Sequence, residues 1–199
     1  RFTTFTTAAG LAHNMVGSIL VDRQGYLWVG TQDGVSRYDG ERFTTFTTAD
    51  GLASDQILSA LKDREGDLWF AAYGGVLSRY TAPHLTTFTT REGLVHNLVK
   101  VCLEDHEGNF WFGTTYGVSR YDGKAWTTFT TKEGLADDYI RSGLVDRQGQ
   151  MWFGTASGVS RYDGKTWTTF TPKEGLAGTL VLSLAEDRQG NLWFGTLDG

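Results

Sequence analysis

The chain repeats itself every 41 or 42 residues, and this period constrains the fold more than any other feature of the sequence. Five tryptophans mark the period, at intervals of 41, 42, 41 and 41 residues: Trp28, Trp69, Trp111, Trp152 and Trp193. The interval of 42 arises because "GGVLSRY" in the second copy stands where the first has "DGVSRY". The repeats lie near 8–48, 49–90, 91–131, 132–172 and 173–199, the last taken together with 1–7. A constant period of this length indicates a repeat architecture.

Each copy predicts four short strands separated by turns. In the first copy they are 16–22, 26–31, 34–39 and 42–48, all rich in β-branched and aromatic residues. The words "DRQG" and "DGE" place Asp and Gly where tight turns need them. Four strands in roughly 40–45 residues is the spacing of a propeller blade, and neighbouring blades cover the faces that a lone blade exposes. The sequence therefore predicts an all-β propeller of five four-stranded antiparallel blades, forming a single domain over residues 1–199.

The two ends of the chain fall in the same repeat. Gly199 aligns with Gly34 and residues 1–7 align with 42–48, so seven residues, 35–41, separate the two positions. We expect the last blade to be incomplete and shared between the N-terminal and C-terminal segments. Two arrangements stay open: a closed ring of five blades, and a stretch of a longer array in which an equivalent of "VSRYDGK" follows Gly199 or the blade is supplied differently.

Composition excludes several classes of function. The formal net charge is −5 and no basic stripe is present, which argues against a nucleic-acid partner. Cys102 is the only cysteine, so an internal disulfide framework and a thiolate metal cluster are excluded. No run of 18 apolar residues exists, and we expect no membrane span. Nothing in the sequence points to a cofactor.

The words "DRQGxLWFGTxxGVSRYDG", followed by an aromatic strand and "GL", resemble the two-component regulator propeller repeat. The resemblance covers all five copies; the second departs most, with "AAYGG" in place of "GTxxG". It implies a β-propeller that forms part of a bacterial extracytoplasmic sensor, in the periplasm or secreted, and it carries no catalytic residues over to this chain.

The residues that recur in every copy are best explained by the scaffold. One Trp per copy suits packing between blades, with a ligand-stacking ladder as the alternative. The Asp of "DRQG" suits a turn cap better than a ring of calcium ligands, because equivalent positions in separate blades do not converge on one point. The five copies of this residue are Asp22, Asp63, Asp105, Asp146 and Asp187. In "RYDG" we expect Tyr to pack, Asp to start a turn and Arg to reach a carboxylate or carbonyl, with a binding triad as the alternative.

Function is expected where the copies differ, in the loops from strand four to strand one and from strand two to strand three. We call these the mouth loops, because in a propeller both sets open on one face. Lys100 and Arg141 hold the second position of strand one in neighbouring copies and predict a small cationic spot. Solvated charge is the alternative for this pair. The predicted ligand-binding residues are His13, Asn14, Tyr73, His96, Asn97, Lys100, Tyr116, Asp137 and Arg141.

The sequence favours a non-catalytic ligand-sensing or interaction module, and we expect neither an enzyme nor a metal site. One alternative is a lectin-like binder of glycans through the mouth tyrosines; another is an amplified or engineered repeat scaffold without a specific ligand. For the sensing module and for the lectin-like binder, the expected partner is a small molecule or a glycan. Self-association through the Thr-rich outer strands, "TTFTT", or through an open blade is a further expectation, because flat edges with few charges tend to pair.

Overall fold

The computed structural model describes residues 2–74, 76–96 and 98–199, and these form β-strands and short turns. The strands of the first two repeats are β1 Val16–Val21, β2 Leu27–Thr31, β3 Gly34–Tyr38, β4 Phe43–Phe46, β5 Ile57–Lys62, β6 Leu68–Ala72, β7 Val76–Thr81 and β8 His84–Phe88. Those of the other three are β9 Val99–Glu104, β10 Phe110–Thr114, β11 Gly117–Tyr121, β12 Trp126–Phe129, β13 Ile140–Val145, β14 Met151–Thr155, β15 Val159–Tyr162, β16 Trp167–Phe170, β17 Val181–Glu186 and β18 Leu192–Thr196. Three 3-10 turns complete the elements: Thr7–Ala9, Thr48–Asp50 and Pro172–Glu174.

The strands form five antiparallel sheets, each a meander in chain order, with four, four, four, four and two strands. This confirms the predicted blades and the incomplete fifth blade, with strand ends one or two residues shorter than expected. The chain divides into two compact units whose boundary lies within 89–100; the first holds blades one and two, the second blades three to five. The single-domain assignment, and the sharing of the last blade with residues 1–7, stay predictions.

The Asp of "DRQG" joins the turn to the core of its own blade. In blade three, Asp105 Oδ1 accepts hydrogen bonds from the amides of Glu107 and Asn109 at 2.9 Å. Its Oδ2 accepts a bond of 2.7 Å from Trp111 Nε1. The same Asp–Trp bond recurs in all five blades, at 2.7–3.0 Å. The turn-capping role is therefore confirmed, and each repeat fixes its own tryptophan through a residue six positions earlier.

The "RYDG" residues also serve the scaffold. In blade four, Asp163 Oδ1 accepts bonds from the amides of Lys165 and Thr166, and Tyr162 donates to the carbonyl of Gly164. The bond from the Thr166 amide, followed by that from Lys165, lowers the pKa of Asp163 to about 2. The guanidinium carbon of Arg161 lies 5.8 Å from the centre of the Trp152 ring, a cation–π contact, and its Nη2 donates to Thr168 Oγ1 at 3.2 Å instead of to a carboxylate or carbonyl.

The expected carboxylate contact of this arginine is present in blade two. There Arg79 pairs with Asp67 at 2.7 Å, and its guanidinium also lies 5.2 Å from the centre of the Trp69 ring. Blade three repeats this arrangement: Arg120 lies 3.7 Å from Glu107 of the turn and 5.7 Å from the centre of the Trp111 ring. In these two blades the arginine therefore links strand three to the turn and the tryptophan of the same blade.

Within each unit, neighbouring blades pack through a knob and a hole. A Cβ built at Gly30 of β2 would lie 2.5 Å from Ile57 Cγ2, and one built at Gly154 of β14 would lie 2.8 Å from Val181 Cγ1. Both knobs begin strand one of the next blade and are buried, at 3% and 0% exposure. Glycine is needed at Gly30 and Gly154 because the next blade fills the space that a side chain would take.

Candidate functional site

Mouth loops of the same blade contact each other in the second unit. In blade three, His96 Nδ1 lies 2.9 Å from Thr115 Oγ1, and its ring centroid lies 4.4 Å from that of Tyr116. In blade four, Ser157 Oγ donates to Asp137 Oδ2 at 2.6 Å. The predicted residues His96, Tyr116 and Asp137 thus lie where their loops meet.

A β-bulge directs the second residue of strand one away from the ladder. The register with strand two shifts across this residue in each blade whose strand-one register is described: blades one, two, four and five. A bulge leaves its extra residue unpaired and re-aims the side chain. The residues at the bulge, all exposed, are Gly17, Leu58, Arg141 and Leu182. Lys100 holds the same position of the repeat in blade three, so the blades present glycine, leucine, lysine or arginine here.

The side chains of Lys100 and Arg141 both contact the phenol ring of Tyr139, a residue that was not among the predicted ones. Lys100 Nζ donates to Tyr139 Oη at 2.6 Å and lies 4.4 Å from the centre of its ring. The guanidinium carbon of Arg141 lies 4.8 Å from the same centre. The hydrogen bond from Lys100 lowers the pKa of the Tyr139 phenol, and the positive charges of Lys100 and Arg141 add to the effect. We call these three residues the cationic cluster.

The two carboxylates that directly precede Tyr139 are already engaged, Asp138 through a bond of 2.6 Å from the amide of Thr131. Asp137 Oδ1 accepts a bond of 2.8 Å from the amide of Tyr139, and Oδ2 holds Ser157. Asp137 therefore positions the backbone of Tyr139. Among the residues that the structure describes, neither Lys100 nor Arg141 forms an ion pair with a carboxylate. An acceptor group with negative charge would complement both cations.

The predicted residues of the first unit, Tyr73 and His13, have surroundings of their own. Tyr73 is 58% exposed and lines a surface depression of about 510 Å³ with Gln32, Ser54 and Gln56. His13 Nδ1 accepts a bond of 3.0 Å from the amide of Met15. The depression offers polar side chains and one aromatic face.

Asn14 belongs to a set that holds the backbone. Its Oδ1 accepts a bond from the amide of Thr7, as Asp55 does from Thr48 and Asp138 from Thr131. The signal that separates it from the other mouth residues is its recurrence as Asn or Asp at one repeat position. Asn97, at the same position of the third repeat, lies outside the described residues.

Tyr139 is the functional candidate that sequence reasoning missed. It precedes strand one of blade four, where the first two repeats have Met15 and Gln56. An aromatic residue close to the varied Arg141 was the available signal.

For metals, no group of three or more His, Cys, Asp or Glu suited to hold an ion occurs within 2–74, 76–96 and 98–199. The same ranges contain no helix long and apolar enough to cross a membrane.

Comparison with known proteins bears on the repeats. The family model described as two component regulator propeller matches residues 10–33, 93–116 and 175–198. Each match begins at the glycine of "GL" and ends in the second mouth loop, so it contains strand one, the Asp turn and the tryptophan strand. No curated protein matches the chain.

Solved structures share the fold. The extracellular domain of a hybrid two component system from B. thetaiotaomicron superposes with a TM-score of 0.76 at 22% identity, over 93% of this chain and 26% of that one. The chain thus spans about a quarter of that domain. Virginiamycin B lyase from Staphylococcus aureus gives a TM-score of 0.74 at 16% identity, over 93% of this chain and 64% of that one.

A third solved structure also shares the fold. PorZ, a surface component of the type-IX secretion system of Porphyromonas gingivalis, gives a TM-score of 0.65 at 16% identity, over 90% of this chain and 31% of that one. At these identities the likeness concerns the fold, which is the β-propeller predicted from the period. Three of the five repeats match the model of the two component regulator propeller repeat.

Proposed function

We propose that this propeller is a non-catalytic sensing module that binds an anionic ligand at the cationic cluster. The observation that carries the proposal is the convergence of Lys100 and Arg141 on Tyr139, with no carboxylate paired to either cation among the described residues. Two like charges held together repel each other, and a bound anion relieves the repulsion. A carboxylate or phosphate group suits the donors, which are an ammonium, a guanidinium and a phenol.

The setting of the cluster supports recognition rather than catalysis. The bulge at Arg141 displays the side chain outside the ladder, so the ligand contacts varied residues while the scaffold stays unchanged. In the blade that carries Lys100, His96 Nδ1 lies 2.9 Å from Thr115 Oγ1 and its ring is tilted against that of Tyr116, which suits a binding surface. We further propose that the module acts outside the cytoplasm, on the strength of its repeats and of its likeness in fold to an extracellular domain.

Binding of defined anions tests the proposal. Inorganic phosphate and a trigalacturonate are titrated calorimetrically, with maltotriose as the neutral control. We expect an anion to bind, more weakly at high salt because the charges are exposed, and we expect Lys100→Ala or Arg141→Ala to weaken it at least about tenfold. Lys165→Ala, an exposed lysine in the turn after strand three, is the matched control. Binding that survives both cluster substitutions would contradict the assignment.

The phenol reports on the cluster without any ligand. A spectrophotometric pH titration of the wild type against Tyr139→Phe isolates the Tyr139 transition. We expect it at a lower pH than in the variant Lys100→Ala, because the hydrogen bond from Lys100 favours the phenolate. An unchanged transition in Lys100→Ala would mean that the two groups do not interact in solution.

A lectin-like function is the second candidate, favoured by two exposed mouth tyrosines. Tyr73 is 58% and Tyr116 is 62% exposed, and such rings offer faces on which sugars stack. Here maltotriose itself would raise the melting temperature, and Tyr73→Ala or Tyr116→Ala would abolish the rise. Stabilisation by the neutral sugar alone favours this function over anion sensing.

A further inference from the structure

A cleft lies between blades three and four on the side of the Asp turns. Its volume is about 230 Å³, and its lining runs from the Asp turn of blade three to the "RYDG" turn of blade four. Trp111 belongs to the lining although it is only 1% exposed, so the cleft reaches the core between the two blades. Arg120, on strand three of blade three, also lines it. We call this space the turn-side cleft.

Arg120 lacks the acceptor that the same arginine has in blade two. There, Arg79 Nε donates to Asp67 Oδ2 at 2.9 Å, and Nη2 lies 2.7 Å from the same oxygen. Blade three has Asn109 in place of Asp67, and its amide nitrogen donates to the carboxylate of the Asp turn at 2.9 Å. Within 2–74, 76–96 and 98–199, Arg120 Nε has no hydrogen-bond partner, and the ion pair with Glu107 is 3.7 Å long. The Arg120 side chain is 28% exposed, so a ligand in the cleft can reach its outer nitrogens.

The residue after the turn aspartate differs in blade three, where His106 replaces the arginine of the other four copies. Arg147 crosses from blade four to blade five and donates to two carbonyls of the next Asp turn at 2.8 and 3.0 Å. Arg23 crosses in the same way, with Cδ 2.8 Å from a Cβ built at Gly66 of blade two. His106 lies over the equivalent Gly149, but an imidazole is shorter than an arginine side chain.

The equivalent depression between blades one and two shows what the histidine changes. It has a volume of about 300 Å³ and contains Arg23, but its lining includes neither Trp28 nor Arg37, the counterparts of Trp111 and Arg120. The shorter His106 therefore opens a path to the tryptophan and the arginine of its own blade. This opening occurs where the copies differ, and the turn-side cleft shares no residue with the cationic cluster.

We propose that the turn-side cleft binds a free α-amino acid through both its carboxylate and its ammonium group. The charges of the lining select this class. Arg120 needs an acceptor with negative charge, but the carboxylates of Glu107 and Asp163 in the same lining repel a simple anion. A simple cation would be repelled by Arg120 and would leave it without an acceptor. A zwitterion places its carboxylate on Arg120 and its ammonium group towards Glu107 and Asp163.

The size and the apolar part of the cleft restrict the side chain of the ligand. A water molecule takes about 30 Å³ in the liquid, so the cleft has room for roughly eight non-hydrogen atoms, as many as valine has. Trp111, Met151 and Tyr162 supply apolar surface. The expected ligand is therefore an amino acid with a small aliphatic side chain.

Calorimetric titration with L-valine tests the site, and two probes each keep one of its charged groups: isovalerate has the carboxylate and isobutylamine has the ammonium group. We expect L-valine to bind and each probe to bind at least about tenfold more weakly, because a charge-assisted hydrogen bond is lost. Isovalerate binding as tightly as L-valine would overturn the assignment to a zwitterion.

Two variants copy residues that other blades already carry. His106→Arg fills the cleft as Arg23 does, and Asn109→Asp gives Arg120 the internal partner that Arg79 has. Each is expected to weaken L-valine binding at least about tenfold, and if one fails to fold the other decides. Lys100→Ala, in the cationic cluster, is the control and leaves L-valine binding unchanged, so this site and the proposed anion site are tested separately. A wild type that does not bind L-valine, or binding that is unchanged in the folded variants, would overturn the proposal.

Discussion

Removal of Asp105 tests whether the Asp–Trp bond stabilises a blade. The carboxylate is 7% exposed and accepts bonds from the amides of Glu107 and Asn109 and from Trp111 Nε1. Burial raises the pKa of Asp105, but the hydrogen bonds from Trp111 and Asn109 outweigh it and hold the pKa below its ordinary value. Asp105→Ala leaves the indole N–H of a tryptophan that is 1% exposed without an acceptor.

The free energy of unfolding lost in Asp105→Ala depends on which of the unpaired donors can bind water instead. A buried donor left unpaired costs about 1–3 kcal/mol, and a bond to a charged acceptor contributes about 1.5–3 kcal/mol. The Glu107 amide lies in a turn whose outer residues are exposed, so water partly replaces its bond. The indole of Trp111 has no such replacement. We therefore expect Asp105→Ala to lower the free energy of unfolding by about 2–4 kcal/mol.

Asp187→Ala is a matched control with the same chemistry and different burial. Asp187 accepts bonds from the amides of Gln189 and Asn191 and from Trp193 Nε1, at 2.8–3.0 Å. Trp193 is 63% exposed, so water satisfies the indole and the loss is expected to be clearly smaller. Urea unfolding followed by circular dichroism, at a concentration where the chain is monomeric, gives both free energies. Equal losses for Asp105→Ala and Asp187→Ala would refute the argument from burial.

Two further predictions concern the turns. Gly149→Ala is expected to lower the melting temperature more than Gly164→Ala: both have positive φ, +82° and +98°, but only at Gly149 would the new Cβ lie 2.8 Å from His106 Nδ1. Equal shifts would mean that His106 moves aside without cost. Acid is expected to destabilise the fold, because Asp163 and Asp187 have pKa values of about 2. A carboxyl group whose pKa is lower in the folded protein stabilises the fold at pH values above about 3.9, its pKa in the unfolded chain. This stabilisation is lost as the pH falls towards 2. Urea midpoints measured between pH 5 and 2 would be flat if the bonds were absent in solution.

The repeat period and the turn motifs were enough to predict the blades, since each repeat encodes its own strands and turn caps. The bond between Asp105 and Trp111 was not predicted, although the constant spacing of six residues in every copy held the information. Recurrence showed that both residues matter to the scaffold, but it does not say which atoms meet. The cationic cluster was half predicted: Lys100 and Arg141 stood out by charge, whereas Tyr139 occurs once and only the packing of the two blades brings it between them.

The position of the cluster explains how a strict repeat can carry a specific site. The bonds that fix a blade lie within one repeat, from Asp105 to Trp111 or across a turn, and none of them uses the residue at the bulge. At Leu58 and Arg141 a change alters neither ladder pairing nor the knob-and-hole joint, because the preceding residue supplies the knob. Gly17 is the exception, since a Cβ built there would lie 2.3 Å from the carbonyl oxygen of Ile57. Binding properties can vary from blade to blade at this point with little effect on the free energy of folding, which is where a sensing surface is expected to diverge.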